Sequence, residues 1–353
     1  MRFTNLQALR TIGATIVVLC HLRFHGLERL GLNSPILDWM LDYLSGPVLA
    51  AFFAMSGFVL VHSLQSTPAS QFMLGRLLRI FPAYWAAIGI AILFQHWQRL
   101  PSAVDWKLIP SLLLLPVGAK HAYYPLGVEW TLVFELFFYA ALGVMLLISP
   151  RRGPTIGAAC WLVVVVAAMA IRSPGPFQSL PDWSEIALSP YTTPFLLGTL
   201  AVRLRSFGYT VRLAAPIAVP CLILTARLIP RWDVSTLVMG MAGALLVAWA
   251  AAAKQMSAEN PLVICGEWSY GVYLLHVPIM TTVFYFAIKQ HLAHPSYDLM
   301  ALAGLLAIGG GLLFGRCEAA LYRRLRRALI RRPQPQNELQ IISLEAARVP
   351  RAA

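Results

Sequence analysis

Apolar runs of membrane-spanning length recur along the whole chain, and they constrain the fold more than any other feature. Each run is long enough to cross a hydrocarbon layer of roughly 30 Å as an α-helix. Only 12% of the 353 residues are charged, whereas soluble domains carry about 25%. The sequence therefore predicts an all-α, polytopic bundle without a separate soluble domain. About ten transmembrane spans are predicted, at 8–24, 46–64, 79–97, 126–149, 154–172, 187–204, 212–229, 234–253, 262–288 and 299–321.

The distribution of basic residues predicts the orientation. If the N-terminus is cytoplasmic and the spans alternate, the cytoplasmic loops and tail hold most of the arginines, and the outer loops hold more acidic residues. Basic loops resist translocation, so both termini are expected on the cytoplasmic side. Residues 1–330 then form one membrane domain, and residues 331–353 form a disordered cytoplasmic tail. The same rule explains the net charge of +13, and we expect no nucleic-acid partner because no aromatic-basic recognition pattern accompanies it.

Two segments leave room for other interpretations. Residues 108–117 are apolar but too few to span, and Pro110 and Pro116 interrupt them, so we predict a re-entrant or interfacial segment. An eleventh span here would place Arg151 and Arg152 outside. The N-terminal apolar stretch resembles a signal peptide, but it lacks a small-residue cleavage site and contains Arg10 and His21, so we expect it to be retained. The five cysteines show no metal-ligand spacing, and no metal site is expected.

Ionisable side chains inside spans are costly and require an explanation. Arg10 and His21 are eleven residues apart, so they share one face of the first span, roughly 16 Å apart along its axis. Both lie near helix ends, and snorkelling to the interface is the alternative interpretation. Arg76 and Arg79 share a face at the cytoplasmic start of the third span. Two guanidinium groups there suit phosphate oxygens, although the positive-inside rule alone also explains them.

The fourth and ninth spans carry further candidates. Glu135 lies roughly 9 Å deeper than Glu129; we expect Glu135 to be paired or protonated and Glu129 to be solvated at the outer boundary. Ser269, Tyr273 and His276 lie within about 60° of one helix face. His276 also fits a buried histidine with satisfied hydrogen bonds.

In the second span Ser56 and Gly57 are small, and close helix packing is the favoured role for Ser56.

Five ordered segments together resemble the acyltransferase-3 family of integral-membrane acyltransferases, particularly its exopolysaccharide O-acyltransferase branch. They read LQALRTIGATIVVLCH, FFAMSGF, RLLRIFPAYW, WTLVFELFFY and SYGVYLLH, and they extend over residues 6–276. The resemblance implies ten or eleven helices, a cytoplasmic acyl-CoA donor and an acceptor reached from the outer side. It implies functional roles for Arg10 and His21, for the Arg-x-x-Arg pair Arg76 and Arg79, and for Glu135. Candidate residues along the substrate path are Ser56, Trp130, Ser269, Tyr273 and His276.

The expected function is therefore O-acyl transfer in the inner (plasma) membrane. Acyl-CoA, with acetyl-CoA expected, is a co-substrate, and no bound cofactor is expected. The acceptor is a hydroxyl of a cell-surface or exported carbohydrate or a lipid-linked glycan, and membrane lipids surround the protein. His21 acts either as the base or as a nucleophile that carries the acyl group. The sequence leaves open whether the protein forms a homo-oligomer.

Three departures from the family pattern concern the acceptor more than the reaction class. Gly75 replaces a frequent arginine, Val133 a frequent polar residue and Glu129 a frequent small one. A secondary transporter or flippase is the alternative class, since it would also bury arginine, histidine and glutamate, but such proteins often show repeated halves with broken helices. A non-catalytic scaffold would not need buried charges on one face.

Overall fold

The computed structural model describes residues 3–27, 30–64, 69–98, 106–118, 120–149, 153–172, 182–289, 294 and 296–330. The predicted tail at 331–353 and the residues Arg151 and Arg152 lie outside this set. In the described ranges the chain is helical without strands, and only an isolated bridge joins Val117 to Asp182.

Eleven α-helices make up the bundle in these ranges. They are α1 (Thr4–Leu22, continued by a π-helical turn, Arg23–Leu27), α2 (Pro35–Leu64), α3 (Ala69–Trp97), α4 (Leu108–Leu112), α5 (Trp130–Ile148), α6 (Gly153–Ile171), α7 (Thr192–Ala201), α8 (Gly208–Leu228), α9 (Trp232–Ala252), α10 (Pro261–Lys289) and α11 (Tyr297–Leu329). Nine of the described helices, all except α4 and α7, are long and apolar enough to cross a membrane. The predicted polytopic helical bundle is confirmed.

The predicted span 187–204 is the exception. Its α-helical part, α7, has 10 residues, or roughly 15 Å, about half a hydrocarbon layer. A 3-10 turn precedes it (Ile186–Leu188), and a second 3-10 segment follows (Val202–Phe207). Ser189 is extended, with ψ of 137°, because a residue before proline disfavours the helical conformation.

The broken segment nevertheless connects the two ends of the bundle. At its start the ring of Tyr191 packs on Trp130, the first residue of α5, with ring centroids 5.3 Å apart. At its finish Ala201 belongs to a buried cluster with Leu6 of α1. The segment therefore accounts for a tenth passage between the two ends, although it is not a continuous span.

The first and last described residues lie at the same end. The ring of Phe3 packs on His62 near the finish of α2, at 4.9 Å between centroids. A Cβ atom placed on Gly75, near the start of α3, would lie 3.4 Å from a side-chain carbon of Ile330. This shared end is called the arginine end below, and the opposite end the histidine end. That the arginine end faces the cytoplasm stays a prediction.

Residues 108–117 do not span. Helix α4 has five residues, and it is held against α3 by two hydrogen bonds. Tyr84 donates its hydroxyl to the Ser111 carbonyl at 2.7 Å, and Trp85 donates its indole N–H to the Leu112 carbonyl at 2.9 Å.

Glycines bring α10 into backbone contact with its two neighbours. A Cβ atom on Gly266 would lie 2.0 Å from the Gln7 carbonyl oxygen of α1, and one on Gly271 would lie 2.3 Å from the Gly315 nitrogen of α11. No side chain fits at either position. Small residues at such interfaces let membrane helices pack closely, and this packing places the polar face of α1 directly beside α10.

Candidate active site

Two polar clusters lie inside the bundle at different depths along α1. The arginine cluster consists of Arg10, Arg76, Arg79, Glu135 and Glu318. The histidine cluster consists of His21, His25 and His276. Each cluster combines residues from helices far apart in the sequence.

Arg10 faces the first cluster. The half-buried guanidinium lies within electrostatic reach of Arg76, Arg79 and Glu135. A snorkelling arginine would instead direct its charge away from the bundle. The structure therefore supports the inward-facing interpretation of Arg10.

Glu135 is paired, as predicted for a carboxylate in a span. It accepts hydrogen bonds from the Tyr139 hydroxyl and from the Ser56 hydroxyl, the latter at 3.3 Å. The neighbouring Gly57 provides the close packing, since a Cβ atom there would lie 2.2 Å from the Phe195 carbonyl oxygen. Ser56 therefore also binds Glu135 through its hydroxyl, in addition to the close packing expected of a small residue.

The two arginines of α3 turn to different neighbours. Arg76 donates to the Ser63 hydroxyl at 3.3 Å and lies over the Tyr139 ring of α5, 5.8 Å from its centroid. Arg79 lies between the rings of Tyr270 and Tyr322, at 5.3 and 5.4 Å from their centroids. One face of α3 thus links α5 on one side with α10 and α11 on the other.

Arg79 also forms an ion pair with Glu318 of α11. Sequence reasoning missed Glu318. The available signal was an acidic residue within the predicted span 299–321, in the segment GRCEAALYRR. The Glu318 side chain is 3% exposed, so it is the kind of costly buried charge that marks a functional candidate.

His21 has a hydrogen bond that determines where its lone pair lies. Its Nδ1 is 2.9 Å from the Val17 carbonyl oxygen, so Nδ1 carries the proton in the neutral ring and donates it. Nε2 then carries the lone pair, as a general base or a nucleophile requires. His25 stacks on His21 at 5.9 Å between centroids, within the π-helical turn.

His276 of α10 lies edge-on to His21, with ring centroids 4.8 Å apart. It is fully buried, and its Nδ1 lies 2.8 Å from the Tyr273 carbonyl oxygen. Its Nε2 has no hydrogen-bond partner among the described residues. The interpretation as a fully satisfied histidine is therefore wrong for one of its two ring nitrogens.

Side chains of α10 connect the two clusters. The Tyr270 ring lies beside Arg79 and stacks on Tyr273 at 6.4 Å between centroids, and Tyr273 lies 6.3 Å from His276. The Tyr273 hydroxyl contacts the Thr131 hydroxyl and donates to the Val128 carbonyl. A row of three ring side chains thus leads along α10 from the arginine cluster to the histidine cluster.

Ser269 and Trp130 make other contacts. Ser269 donates its hydroxyl to the Gly266 carbonyl of its own helix at 2.8 Å. Trp130 packs on Phe134 and Tyr191. The Ser269 hydroxyl is therefore bonded within its own helix, whereas Trp130 packs against aromatic rings.

Glu129 is fully buried instead of solvated. Its carboxylate accepts the backbone N–H groups of Leu126, at 2.6 Å, and Val128, at 2.9 Å. It therefore closes the loop that enters α5, and the loop backbone takes the place of water. Burial raises the pKa of this carboxyl to about 7, although the backbone hydrogen bonds act in the opposite direction.

The rings of His21, His25 and His276 lie together in the histidine cluster. Within the described part of the chain, no group of three or more His, Cys, Asp and Glu side chains is placed to hold a metal ion. Its ring nitrogens instead suit proton or acyl transfer.

Comparison with known proteins identifies one family and two similar proteins. Residues 3–316 match the model of a family described as an acyltransferase domain. The chain is similar to Nodulation protein 10 of Rhizobium leguminosarum bv. viciae, with 28% identity over 319 residues, covering 79% of this chain and 83% of the relative. It is also similar to the exopolysaccharide production protein ExoZ of Rhizobium meliloti (strain 1021), with 23% identity over 301 residues, covering 80% and 88%. No solved structure matches the chain significantly.

Proposed function

The chain belongs to the acyltransferase-3 family, and on that premise we propose that it transfers an acyl group from acyl-CoA to a carbohydrate hydroxyl. The family and the apolar helices together identify the chain as a multi-pass membrane acyltransferase. The proposal depends on one observation. An arginine cluster and a histidine cluster lie at two depths inside one bundle, joined by the row of rings on α10.

The arginine cluster suits the donor. Arg76 and Arg79 offer guanidinium N–H groups whose fork geometry matches phosphate oxygens. The nucleotide phosphates of coenzyme A would bind at this end, and the thin pantetheine arm would extend inward along Tyr270 and Tyr273. Since acyl-CoA is cytoplasmic, we propose that the arginine end faces the cytoplasm and that the membrane is the inner (plasma) membrane.

The histidine cluster suits the transfer step. His21 Nε2 takes the proton of the acceptor hydroxyl, and the oxygen attacks the thioester carbonyl. The tetrahedral intermediate then collapses, the carbon–sulfur bond breaks, and the thiolate of coenzyme A takes the proton from the His21 imidazolium. In the second route Nε2 itself attacks the thioester, the carbon–sulfur bond breaks, and coenzyme A leaves as the thiolate. The acceptor hydroxyl then attacks the acyl-imidazole, His21 is regenerated, and the hydroxyl proton passes to the thiolate. Both routes require the lone pair that the Val17 hydrogen bond places on Nε2.

We propose an exopolysaccharide-type acceptor. One similar protein is named for exopolysaccharide production and another for nodulation. The acceptor would approach from the histidine end, opposite the donor. Acetyl is the acyl group we propose, because it is small enough for a path lined by packed rings.

The experiment uses purified protein in lipid nanodiscs with acetyl-labelled acetyl-CoA and a panel of bacterial glycans. Alkali-labile label on a glycan, with release of one thiol per ester, supports the proposal. Folded protein that transfers no label from any acyl-CoA to any glycan would overturn it. A transporter or flippase would move a glycan across the membrane without forming an ester, so the same assay separates the two classes.

A further inference from the structure

Glu318 places a negative charge directly against one arginine of the arginine cluster. Its carboxylate lies on α11, is almost completely buried, and pairs through Oε1 with Nη1 of Arg79. Its second oxygen, Oε2, has no hydrogen-bond partner in the described part of the chain. The carboxylate is therefore held mainly by one contact, and that contact uses an arginine assigned above to the donor.

Arg79 remains accessible while it is paired. Its side chain is 26% exposed, and the rings of Tyr270 and Tyr322 pack around the guanidinium. A guanidinium has five N–H donors, so an incoming phosphate can reach donors that do not face Glu318. The phosphate and the carboxylate then compete for one cation.

The charge balance shows the consequence. The cluster has three cations (Arg10, Arg76, Arg79) and two carboxylates (Glu135, Glu318), a formal balance of +1. Without the Glu318 charge the balance becomes +2. The effect on an anion bound at Arg79 is large because Glu318 is in direct contact and is poorly screened by water.

We propose that Glu318 is a built-in competitor of the donor's phosphates. It holds Arg79 before the donor binds, is displaced when the phosphates bind, and returns to Arg79 as coenzyme A leaves. It thereby weakens the affinity for coenzyme A and speeds release of this product. The inference extends the proposed function and depends on its donor site.

A second cation acts electrostatically on the same carboxylate. Arg323, five residues further along α11, interacts electrostatically with Glu318. A buried carboxylate without a cation is costly, so this neighbour lowers the cost of exchanging Arg79 for the phosphate.

The test compares Glu318→Gln with wild type by titrating coenzyme A into the full-length protein in detergent and by following its dissociation. We expect binding at least about fivefold tighter, in the range typical of coupled sites, with correspondingly slower dissociation. Glu259→Gln is the matched control. Glu259 is exposed in the loop between α9 and α10, whose Lys254 carbonyl binds Asn5 at the arginine end. The Glu259→Gln substitution also removes one negative charge, but from a side chain exposed to water, so we expect the affinity for coenzyme A to change by less than about twofold.

The contrary outcomes are distinct. If Glu318 serves only to orient Arg79, Glu318→Gln will bind coenzyme A equally or more weakly, and the inference is overturned while the donor site stands. Equally tighter binding of coenzyme A in Glu259→Gln would also overturn it, since the effect would then come from the overall charge of the arginine end and not from the contact with Arg79. If wild type binds no coenzyme A, the donor site of the proposed function and this inference both fail.

Two further variants cover a folding defect and the role of Arg79. Glu318→Asp keeps the charge but shortens the side chain, and we expect smaller tightening in the same direction if Glu318→Gln does not fold. In an Arg79→Gln background the Glu318→Gln change should give no tightening. Tightening that persists without Arg79 would refute the competition.

Discussion

Replacing His21 with asparagine tests the transfer step most directly. The asparagine side-chain amide occupies approximately the position of Nδ1, so it can keep the hydrogen bond to the Val17 carbonyl while removing the lone pair on Nε2. Loss of that local hydrogen bond would cost about 0.5–1.5 kcal/mol of stability. Removal of a general base typically lowers a rate by about 10²- to 10⁴-fold. The free-energy barrier to transfer should therefore rise by more than the free energy of unfolding falls.

The assay is single-turnover transfer of labelled acetyl from acetyl-CoA, with coenzyme A binding measured on the same preparation. We expect His21→Asn to bind coenzyme A like wild type, because the arginine cluster lies roughly 16 Å away along α1. His96→Asn is the control, since His96 is exposed near the finish of α3. It should transfer at the wild-type rate.

The pH profile gives an independent check. Wild-type activity should fall as the pH is lowered, because a protonated imidazole cannot accept a proton or attack a thioester. The residual activity of His21→Asn should lack this dependence. A folded, donor-competent His21→Asn protein that transfers within about threefold of wild type, well below the expected range, would remove His21 from the mechanism.

Three other predictions follow from the donor site, the loop before α5 and the orientation. Arg79→Lys keeps the positive charge but loses the planar guanidinium that can bind a phosphate through two N–H groups, so calorimetry should show weaker acetyl-CoA binding than in wild type. Arg79→Ala should bind acetyl-CoA more weakly still. Unchanged binding in both variants would exclude the phosphate role. Because its folded-state pKa is raised to about 7, protonated Glu129 stabilises the fold at low pH, and this stabilisation is lost as the pH rises through about 7. Between pH 5.5 and 8.5 the loss should be about 2 kcal/mol in wild type and absent in Glu129→Gln, as checked by detergent unfolding; equal slopes would contradict it. In a cysteine-free background, Ser257→Cys should be labelled only from the cytoplasm and Trp183→Cys only from outside; the reverse pattern would invert the orientation.

Hydropathy located the bundle but not the bounds of its helices. The span predicted at 46–64 is part of a helix that begins at Pro35, because Asp38 and Asp42 end the apolar run without ending the helix. The span predicted at 126–149 begins too early. There Leu126 and Val128 are apolar, but their N–H groups bind the buried Glu129 carboxylate before the helix starts. Hydropathy measures the apolar length, whereas caps and loops determine the helix.

Helical periodicity found side chains on one face but not their partners on other helices. It placed Arg10 and His21 together on α1, and both do face polar clusters. It could not show that Ser56 would reach Glu135, because these residues are 79 positions apart and meet only through the packing of α2 on α5. The pairing of Arg79 with Glu318 is separated by 239 positions and was missed for the same reason.

Under the proposed function, the separation of the two clusters requires the donor, and not the acceptor, to extend through the bundle. Charged phosphates are costly in an apolar interior, so they are best held where Arg76 and Arg79 lie near the arginine end. A glycan has many hydroxyls that need hydrogen bonds, and the rings of Tyr270 and Tyr273 supply few free ones, since the Tyr273 hydroxyl is already engaged by Val128. A narrow, weakly polar arm is the part of either substrate that fits beside these rings. The geometry therefore favours a thioester delivered to His21 from one end and a hydroxyl presented from the other, with neither charged nor bulky group crossing the bundle.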